Sequence, residues 1–321
     1  MIVKNVYSGA PDKTALKDAL GGMIERIAAA DPSVVYLDAD LMSCISTKKF
    51  AANNPDRAFN CGISEANMIG VACGLAASGM KPIAHTFGPF ASRRVFDQVF
   101  LSAGYAGNDI TVIGTDPGVC AGFNGGTHMP FEDIAIYRTI PTATIIDITD
   151  AQMLCSILPD LVNRAGVKYM RLGRKANIGV YEEGQKFEIG KGVTLREGKD
   201  CAIIACGIMV PMALAAAETL AAEGICVSVV DMFTVKPLDE ALVLKMAETC
   251  GALVTCENHN RIGGLTGAVS ETLAFARPTP LECVAIMDEY GEVGPQNYLE
   301  KRFDLTPEHI VRKVKAAIAR K

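Results

Sequence analysis

The feature that most constrains the fold is the alternation of short apolar runs with helical patterns along 321 residues. Residues 34–37, 110–114 and 201–206 are continuous apolar runs, as expected of strands that are buried on both faces. Residues 14–30, in contrast, repeat apolar side chains along one helical face. Because parallel strands need long, usually helical crossovers, this alternation predicts an α/β protein with doubly wound, mostly parallel sheets.

A change of composition divides the chain. Residues 182–200 are rich in Gly, Glu and Lys and interrupt the alternation. At roughly 150 residues per domain, the chain has room for two domains. We predict a first domain over residues 1–178, a linker over residues 179–198, and a second, smaller domain over residues 199–321.

Composition excludes several classes of protein. The net charge of −5 disfavours a nucleic-acid binder, which needs a basic face. Residues 201–217 form the longest apolar stretch, but Gly207 and Pro211 interrupt it, so no membrane span is predicted. The 11 cysteines lack zinc-type spacing, and the N-terminus lacks an apolar leader segment. We therefore expect a cytoplasmic protein with reduced thiols.

The first candidate for chemistry is Glu65, in Gly62-Ile63-Ser64-Glu65. It falls in the first turn of a helix predicted over residues 64–78, which is apolar almost throughout and is therefore expected to be buried on most sides. Burial would raise the pKa of the carboxyl, as acid–base chemistry near neutral pH requires. The alternative is that an acidic residue in the first turn serves only the helix dipole.

A second candidate is the glycine-rich loop of residues 115–130, which directly follows the strand predicted over residues 110–114. It carries Asp116, Asn124 and His128. Ligands of open parallel sheets bind beyond the carboxyl ends of the strands, so the loop is either a binding site or merely a flexible connection.

Two aromatic residues, Phe87 and Phe90, follow another predicted strand. They are either core residues or a stacking surface for a flat ring.

Together these segments resemble the thiamine-diphosphate-dependent transketolase family, specifically its pyrimidine-binding and C-terminal domains, over nearly the whole chain. The segments that carry the resemblance are Gly62-Ile63-Ser64-Glu65, Thr86-Phe87-Gly88-Pro89-Phe90, Phe96-Asp97-Gln98, Gly125-Gly126-Thr127-His128-Met129-Pro130-Phe131-Glu132-Asp133, Ile140-Pro141, Lys236-Pro237-Leu238-Asp239 and residues 257–265. The resemblance implies a two-carbon ketol transfer from a ketose to an aldose, with small sugars as substrates.

The resemblance also implies residue roles at the cofactor. Glu65 would bond N1′ of the aminopyrimidine and act catalytically. Phe87 and Phe90 would line that ring. The remaining residues implied at the cofactor are Asp40, Leu41 and Ile63.

The sugar would be met by two residues of the loop. His128 would act in catalysis and face the first carbons of the sugar together with Asn124, which stands where the family usually has Asp.

The far end of the sugar is where the chain departs from the family pattern. Lys13, Cys44, Asp116 and Arg174 stand where transketolases clamp a sugar phosphate, and only Arg174 is retained outright. A carboxylate near a phosphate dianion is repulsive. We therefore expect an unphosphorylated, sulfonated or otherwise modified sugar end, unless the alignment slips in this variable region.

The family holds the diphosphate and Mg²⁺ through a GDG motif, which this sequence lacks. The resemblance thus implies the C-terminal subunit of a split transketolase, without metal ligands of its own, in an α₂β₂ assembly with an N-terminal subunit. Two enzyme alternatives are the β subunit of a 2-oxoacid dehydrogenase and a deoxyxylulose-phosphate-synthase-like protein. A non-catalytic structural or regulatory subunit is a third alternative, which the retention of Glu65, Phe87, Phe90 and His128 disfavours.

Overall fold

Strands alternate with helices along residues 5–321, the part of the chain that this computed structural model describes. The predicted α/β class with two mostly parallel sheets is confirmed. The strands are β1 (Val34–Asp38), β2 (Ala58–Asn60), β3 (Lys81–Phe87), β4 (Ile110–Thr115), β5 (Thr144–Asp147), β6 (Val167–Leu172), β7 (Val193–Arg196), β8 (Cys201–Ala205), β9 (Val227–Asp231), β10 (Thr234–Lys236), β11 (Leu253–Asn260) and β12 (Leu281–Ile286).

The helices cover both faces of the two sheets. They are α1 (Leu16–Ala30), α2 (Lys48–Asn53), α3 (Glu65–Ala77), α4 (Gly88–Ala91), α5 (Phe96–Gln98), α6 (Asp133–Arg138), α7 (Ala151–Val162), α8 (Met209–Ala222), α9 (Glu240–Cys250), α10 (Leu265–Ala276), α11 (Gln296–Arg302) and α12 (Pro307–Ile318). Asp150 begins α7 as expected, since its side chain accepts a hydrogen bond from the Met153 amide at 2.9 Å. No helix of residues 5–321 is long and apolar enough to cross a bilayer.

The first sheet has the strand order β10-β5-β6-β4-β3-β1-β2, and the second has the order β12-β11-β8-β9-β7. All pairings are parallel except two at the edges, β10 with β5 and β7 with β9. The segment predicted as a linker therefore contributes an edge strand, β7, to the second sheet. The predicted domain limits stay a prediction, and the start of the first domain at residue 1 lies outside the described residues.

Strand β10 crosses from one half of the chain to the other. It follows β9 of the second sheet in sequence but pairs with β5 of the first sheet, Thr234 opposite Ile146. One hydrophobic core cluster likewise draws residues from both halves, including Ile146 and Phe233. The two sheets are therefore joined by shared packing as well as by the connecting segment.

The helix predicted over residues 91–104 is correct only in part, since a continuous helical stretch covers residues 96–105 but not the beginning of the range. The chain instead makes the short turns α4 and α5, separated by a 3₁₀ turn at Arg93–Val95, and then a π-helical stretch at Val99–Tyr105. The break lies at Ser92, where the backbone leaves the helical region and the hydroxyl donates to the carbonyl of Gly88 at 2.7 Å. Arg94 lies in the 3₁₀ turn that follows and contacts Glu65, as described below.

Candidate active site

The site lies where four neighbouring parallel strands end. Strands β6, β4, β3 and β1 are adjacent and parallel, so their carboxyl ends lie at one edge of the first sheet. The loops that leave these strands begin at residues 173, 116, 88 and 39, and they carry most of the predicted site residues. This edge is where an open parallel sheet binds ligands.

Glu65 is the first residue of α3, and it is 3% exposed. Ser64 occupies the N-cap position as predicted, but its side chain makes no capping bond. The burial of Glu65 agrees with the sequence analysis. The structure differs in giving the carboxyl a partner, since Arg94 donates from Nη1 to Oε1 at 2.8 Å. Sequence analysis missed Arg94, because the contact joins residues that lie 29 positions apart in the chain.

Helix α3 is not buried on most sides, contrary to expectation. Met68, Ile69, Ala72 and Cys73 face the core, whereas the opposite face is exposed. That exposed face consists largely of small or apolar residues, Gly70, Val71, Gly74 and Ala77. Within this chain, the helix that carries Glu65 therefore has an uncovered apolar side.

An aromatic cluster joins Glu65 to the remainder of the site. The guanidinium of Arg94 lies 3.9 Å from the ring centroid of Phe90. The ring of His128 lies edge-on to Phe90 at 5.1 Å and to Phe87 at 5.9 Å. The guanidinium of Arg174 lies 5.1 Å from the ring centroid of Phe87. The contacts thus form a continuous series from the carboxyl of Glu65 to the guanidinium of Arg174.

The orientation of His128 follows from one hydrogen bond. Its Nδ1 lies 2.9 Å from the hydroxyl of Thr127, so Nε2 is the ring nitrogen that remains for a ligand. Asn124 is exposed in the same loop, and its contact with a sugar remains a prediction.

The residues predicted near the cofactor lie on two loops that are tied together. Asp40 and Gly62 both donate backbone N–H bonds to the side-chain oxygen of Asn60, at 3.1 and 2.9 Å. Leu41, which is half-buried, follows Asp40, and Ile63 precedes the start of α3 with 76% of its surface exposed. Asn60 therefore holds the loop of residues 39–41 close to the turn that precedes Glu65.

A cavity of about 530 Å³ opens beyond Phe87, and Cys44, Asp116 and Arg174 all line it. Asp116 is 4% exposed and accepts from Nε and Nη2 of Arg174 at 2.8 and 2.6 Å. Lys13, which precedes α1, does not line this cavity, whereas Lys17, in the first turn of α1, and Lys175 do.

Two cysteines, Cys44 and Cys120, lie on the wall of this cavity. Burial and the nearby Asp116 raise the pKa of the Cys120 thiol, which keeps it protonated.

Residues of the second domain contact the site loop, the glycine-rich loop of residues 115–130. Asn258, at the end of β11, accepts from the amide of Val119 at 3.0 Å and donates to the carbonyl of Pro117 at 2.9 Å. Gly118 lies so close that a Cβ there would collide with the Asn258 side chain, and its φ is +52°. Gly126 meets the backbone of Gly291 in the same way. The glycines of this loop therefore permit close packing between the domains.

The geometry of the site can be compared with the two halves of thiamine diphosphate. A buried carboxyl beside aromatic rings fits the aminopyrimidine half of thiamine diphosphate. Among residues 5–321, no group of three or more His, Cys, Asp or Glu side chains could hold a metal ion. The described residues therefore fit the aminopyrimidine half of the cofactor.

Two family descriptions match the chain. "Transketolase, pyrimidine binding domain" matches residues 12–177, and "Transketolase, C-terminal domain" matches residues 190–310.

Several known proteins are similar over almost their full length. The "6-deoxy-6-sulfo-D-fructose transketolase subunit SqwH" of Clostridium sp. is 46% identical over 306 residues, 95% of each chain. A "Putative transketolase C-terminal section" of Methanocaldococcus jannaschii is 35% identical over 97% of each chain. The solved structure "Split gene transketolase, inactive beta4 tetramer" superposes with a TM-score of 0.88 at 36% identity, covering 96% of this chain and 99% of that one. The chain thus belongs to the transketolase family and carries its pyrimidine-binding and C-terminal domains.

Proposed function

We propose that this chain is the C-terminal subunit of a thiamine-diphosphate-dependent transketolase that moves a two-carbon ketol unit from a ketose to an aldose. The observation that carries the proposal is the continuous line of contacts from Glu65 through Phe90, His128 and Phe87 to Arg174. It provides an acid–base group, a ring-binding surface, a sugar-facing imidazole and an anion-binding end in that order.

The aminopyrimidine ring would be held by Glu65, Phe87 and Phe90, beside Leu41 and Ile63. When bound, thiamine diphosphate supplies the nucleophilic carbon that carries the ketol unit. Glu65 would bond N1′ of the ring, and its burial would keep water from competing for that bond.

The sugar is oriented by two groups of this chain. Nε2 of His128 meets a hydroxyl of the substrate near the reacting carbons, as its hydrogen bond to Thr127 allows. Asn124, in the same loop, is placed for a second contact.

A partner subunit completes the site in this proposal. It would hold the diphosphate and Mg²⁺ in an α₂β₂ assembly. Two observations support a partner: the uncovered apolar side of α3 and the exposed Ile63 beside Glu65. The printed descriptions of the relatives as a subunit, a C-terminal section and a split-gene product agree with it. A cytoplasmic location stays a prediction.

The substrate we propose is a ketose that ends in a sulfonate. The cavity beyond Phe87 contains three cations, Lys17, Arg174 and Lys175, with one carboxylate, Asp116. Asp116 accepts hydrogen bonds from two nitrogens of Arg174, and its negative charge opposes the binding of an anion there. This repulsion weakens the binding of a phosphate dianion more than the binding of a singly charged anion. The relative that is 46% identical is described as acting on 6-deoxy-6-sulfo-D-fructose.

The test is reconstitution with the N-terminal subunit, followed by ketol-transfer assays. We expect turnover of 6-deoxy-6-sulfofructose that needs both subunits, thiamine diphosphate and Mg²⁺. Fructose 6-phosphate and xylulose 5-phosphate serve as matched donors with a phosphate end. Equal or better turnover of the phosphorylated donors would reject the sulfonate assignment, whereas turnover by this chain alone would reject the split site.

The remaining alternatives make different predictions. A 2-oxoacid dehydrogenase β subunit or a deoxyxylulose-phosphate-synthase-like protein would decarboxylate a 2-oxoacid in the same reconstituted complex. A structural or regulatory subunit would leave activity unchanged when Glu65 is altered.

A further inference from the structure

His85 is a fully buried residue near the end of β3, and both nitrogens of its ring have partners. Its Nδ1 lies 2.8 Å from Oδ2 of Asp38, and its Nε2 lies 3.1 Å from the hydroxyl of Thr115. Asp38 is the last residue of β1, and Thr115 is the last residue of β4. The ring therefore links three adjacent strands at the edge of the sheet where the site lies.

The surrounding donors determine the direction of these bonds. Oδ2 of Asp38 accepts from the hydroxyl of Tyr36 at 2.5 Å, and Oδ1 accepts from the amide of Leu41. Burial and the Asp38 charge raise the pKa of Tyr36, so this phenol remains a donor. Because Oδ2 of Asp38 is an acceptor here, Nδ1 of His85 is the donor in their bond, and Nε2 is left to bond the hydroxyl of Thr115.

On one side, His85 fixes the loop that faces the cofactor. Asp38 holds the Leu41 amide, and the carbonyl of His85 accepts from the amide of Ala39 at 3.3 Å. Between them, Asp40 has a φ of +65°, a conformation that its neighbours must maintain. Displacing Asp38 would release this loop, including Leu41.

On the other side, His85 fixes the turn that faces the end of the sugar. Thr115 directly precedes Asp116, whose φ is +58° and whose carboxylate holds Arg174. The hydroxyl of Thr115 is the side-chain link between this turn and β3.

We propose that His85 is a positioning residue that sets the distance between the cofactor-facing loop at 39–41 and the Asp116–Arg174 pair. It touches neither substrate nor cofactor and acts through Asp38 and Thr115. The proposal rests on the proposed function. It predicts that the two sides of the ring control two separate measured quantities.

Two substitutions separate the two sides. His85→Asn places an amide where Nδ1 lies, so it keeps the bond to Asp38 and loses the bond to Thr115. His85→Gln places an amide where Nε2 lies, so it keeps the bond to Thr115 and loses the bond to Asp38. The complex with the N-terminal subunit is measured for the Kd of thiamine diphosphate with Mg²⁺ by calorimetry, for the KM of the ketose, and for Tm.

We expect His85→Asn to raise the ketose KM about tenfold with the Kd unchanged, and His85→Gln to raise the Kd about tenfold with a smaller effect on KM. Thr115→Val should reproduce His85→Asn, and it keeps the proposal testable if the histidine variants do not fold. The control is Tyr181→Phe, which removes another buried hydroxyl bond, to Asp231 at 2.8 Å, and should lower Tm alone.

The proposal is overturned if His85→Asn, His85→Gln and Thr115→Val lower Tm as Tyr181→Phe does but leave both Kd and KM at wild-type values. A wild-type complex without ketol transfer would contradict the proposed function instead. In that case the Kd of thiamine diphosphate still tests the link through Asp38.

Discussion

Asp231 should make the stability of this chain fall as the pH rises, and Asp231→Asn should remove that dependence. The residue ends β9 and is fully buried. Oδ2 accepts from the hydroxyls of Thr149 and Tyr181 at 2.6 and 2.8 Å, whereas Oδ1 has no partner among the described residues. Burial raises its pKa to about 8, against the ordinary value of 3.8.

The sign follows from proton linkage. Between pH 3.8 and pH 8 the folded state binds a proton at Asp231 that the unfolded state has released. The contribution of this group to the free energy of unfolding is thus complete below pH 3.8 and falls by about 1.4 kcal/mol per pH unit up to pH 8. Wild type should therefore lose about 4 kcal/mol relative to Asp231→Asn between pH 5 and pH 8.

The assay is urea unfolding of both proteins at pH 5, 6.5 and 8 and at one protein concentration. At pH 5 the variant should be less stable by about 1–3 kcal/mol, because its amide nitrogen has no partner at the Oδ1 position. At pH 8 the order should reverse. As a second variant, Tyr181→Phe removes a donor to the carboxylate, so its destabilisation should be larger at pH 8 than at pH 5. A difference between wild type and Asp231→Asn that stays constant with pH would refute the reasoning.

Three further predictions concern activity in the reconstituted complex. Glu65→Gln should lower ketol transfer by a factor of about 10²–10⁴ while leaving the circular dichroism spectrum unchanged, and activity near wild type would show that the carboxyl is not the acid–base group. Asp116→Asn should free Arg174 and improve kcat/KM for a phosphorylated ketose about tenfold more than for a sulfonated one; an unchanged ratio would remove Asp116 from substrate selection. Asn258→Ala should lower stability by about 2 kcal/mol through its two lost bonds to the site loop and should also raise the sugar KM; a variant with normal KM would mean that the loop keeps its position unaided.

Much of the fold was predictable because local patterns and tertiary structure agree. Strands buried on both faces show as continuous apolar runs, and α7 begins at the side-chain cap that Asp150 provides. The stretch after β3 was not predictable in detail, since its apolar spacing is helical while its backbone leaves the helical region at Ser92. Strand β10 has only three residues, and its partner lies about 90 positions away, so local reasoning has no access to it.

The candidate site, like the fold, was predictable only in part. Asp116 and Arg174 were expected at the end of the sugar, and the structure brings them together in one cavity. Arg94 and His85 were missed as site residues, because their roles come from contacts 29 and 47 residues away along the chain. The residues predicted at the site lie in recognisable sequence motifs. A residue that only positions other residues can be identified only from the folded structure.

The strand that β10 adds to the first sheet bears on how this protein can be divided. A fragment that stops before residue 199 would expose the edge of β5, where Ile145 and Ile146 have paired partners in the intact chain. Open edges of this kind pair with other chains and aggregate. The two halves are therefore a single unit for truncation, gene fusion and domain exchange, and a swap between relatives should take residues 234–236 together with the first sheet they complete.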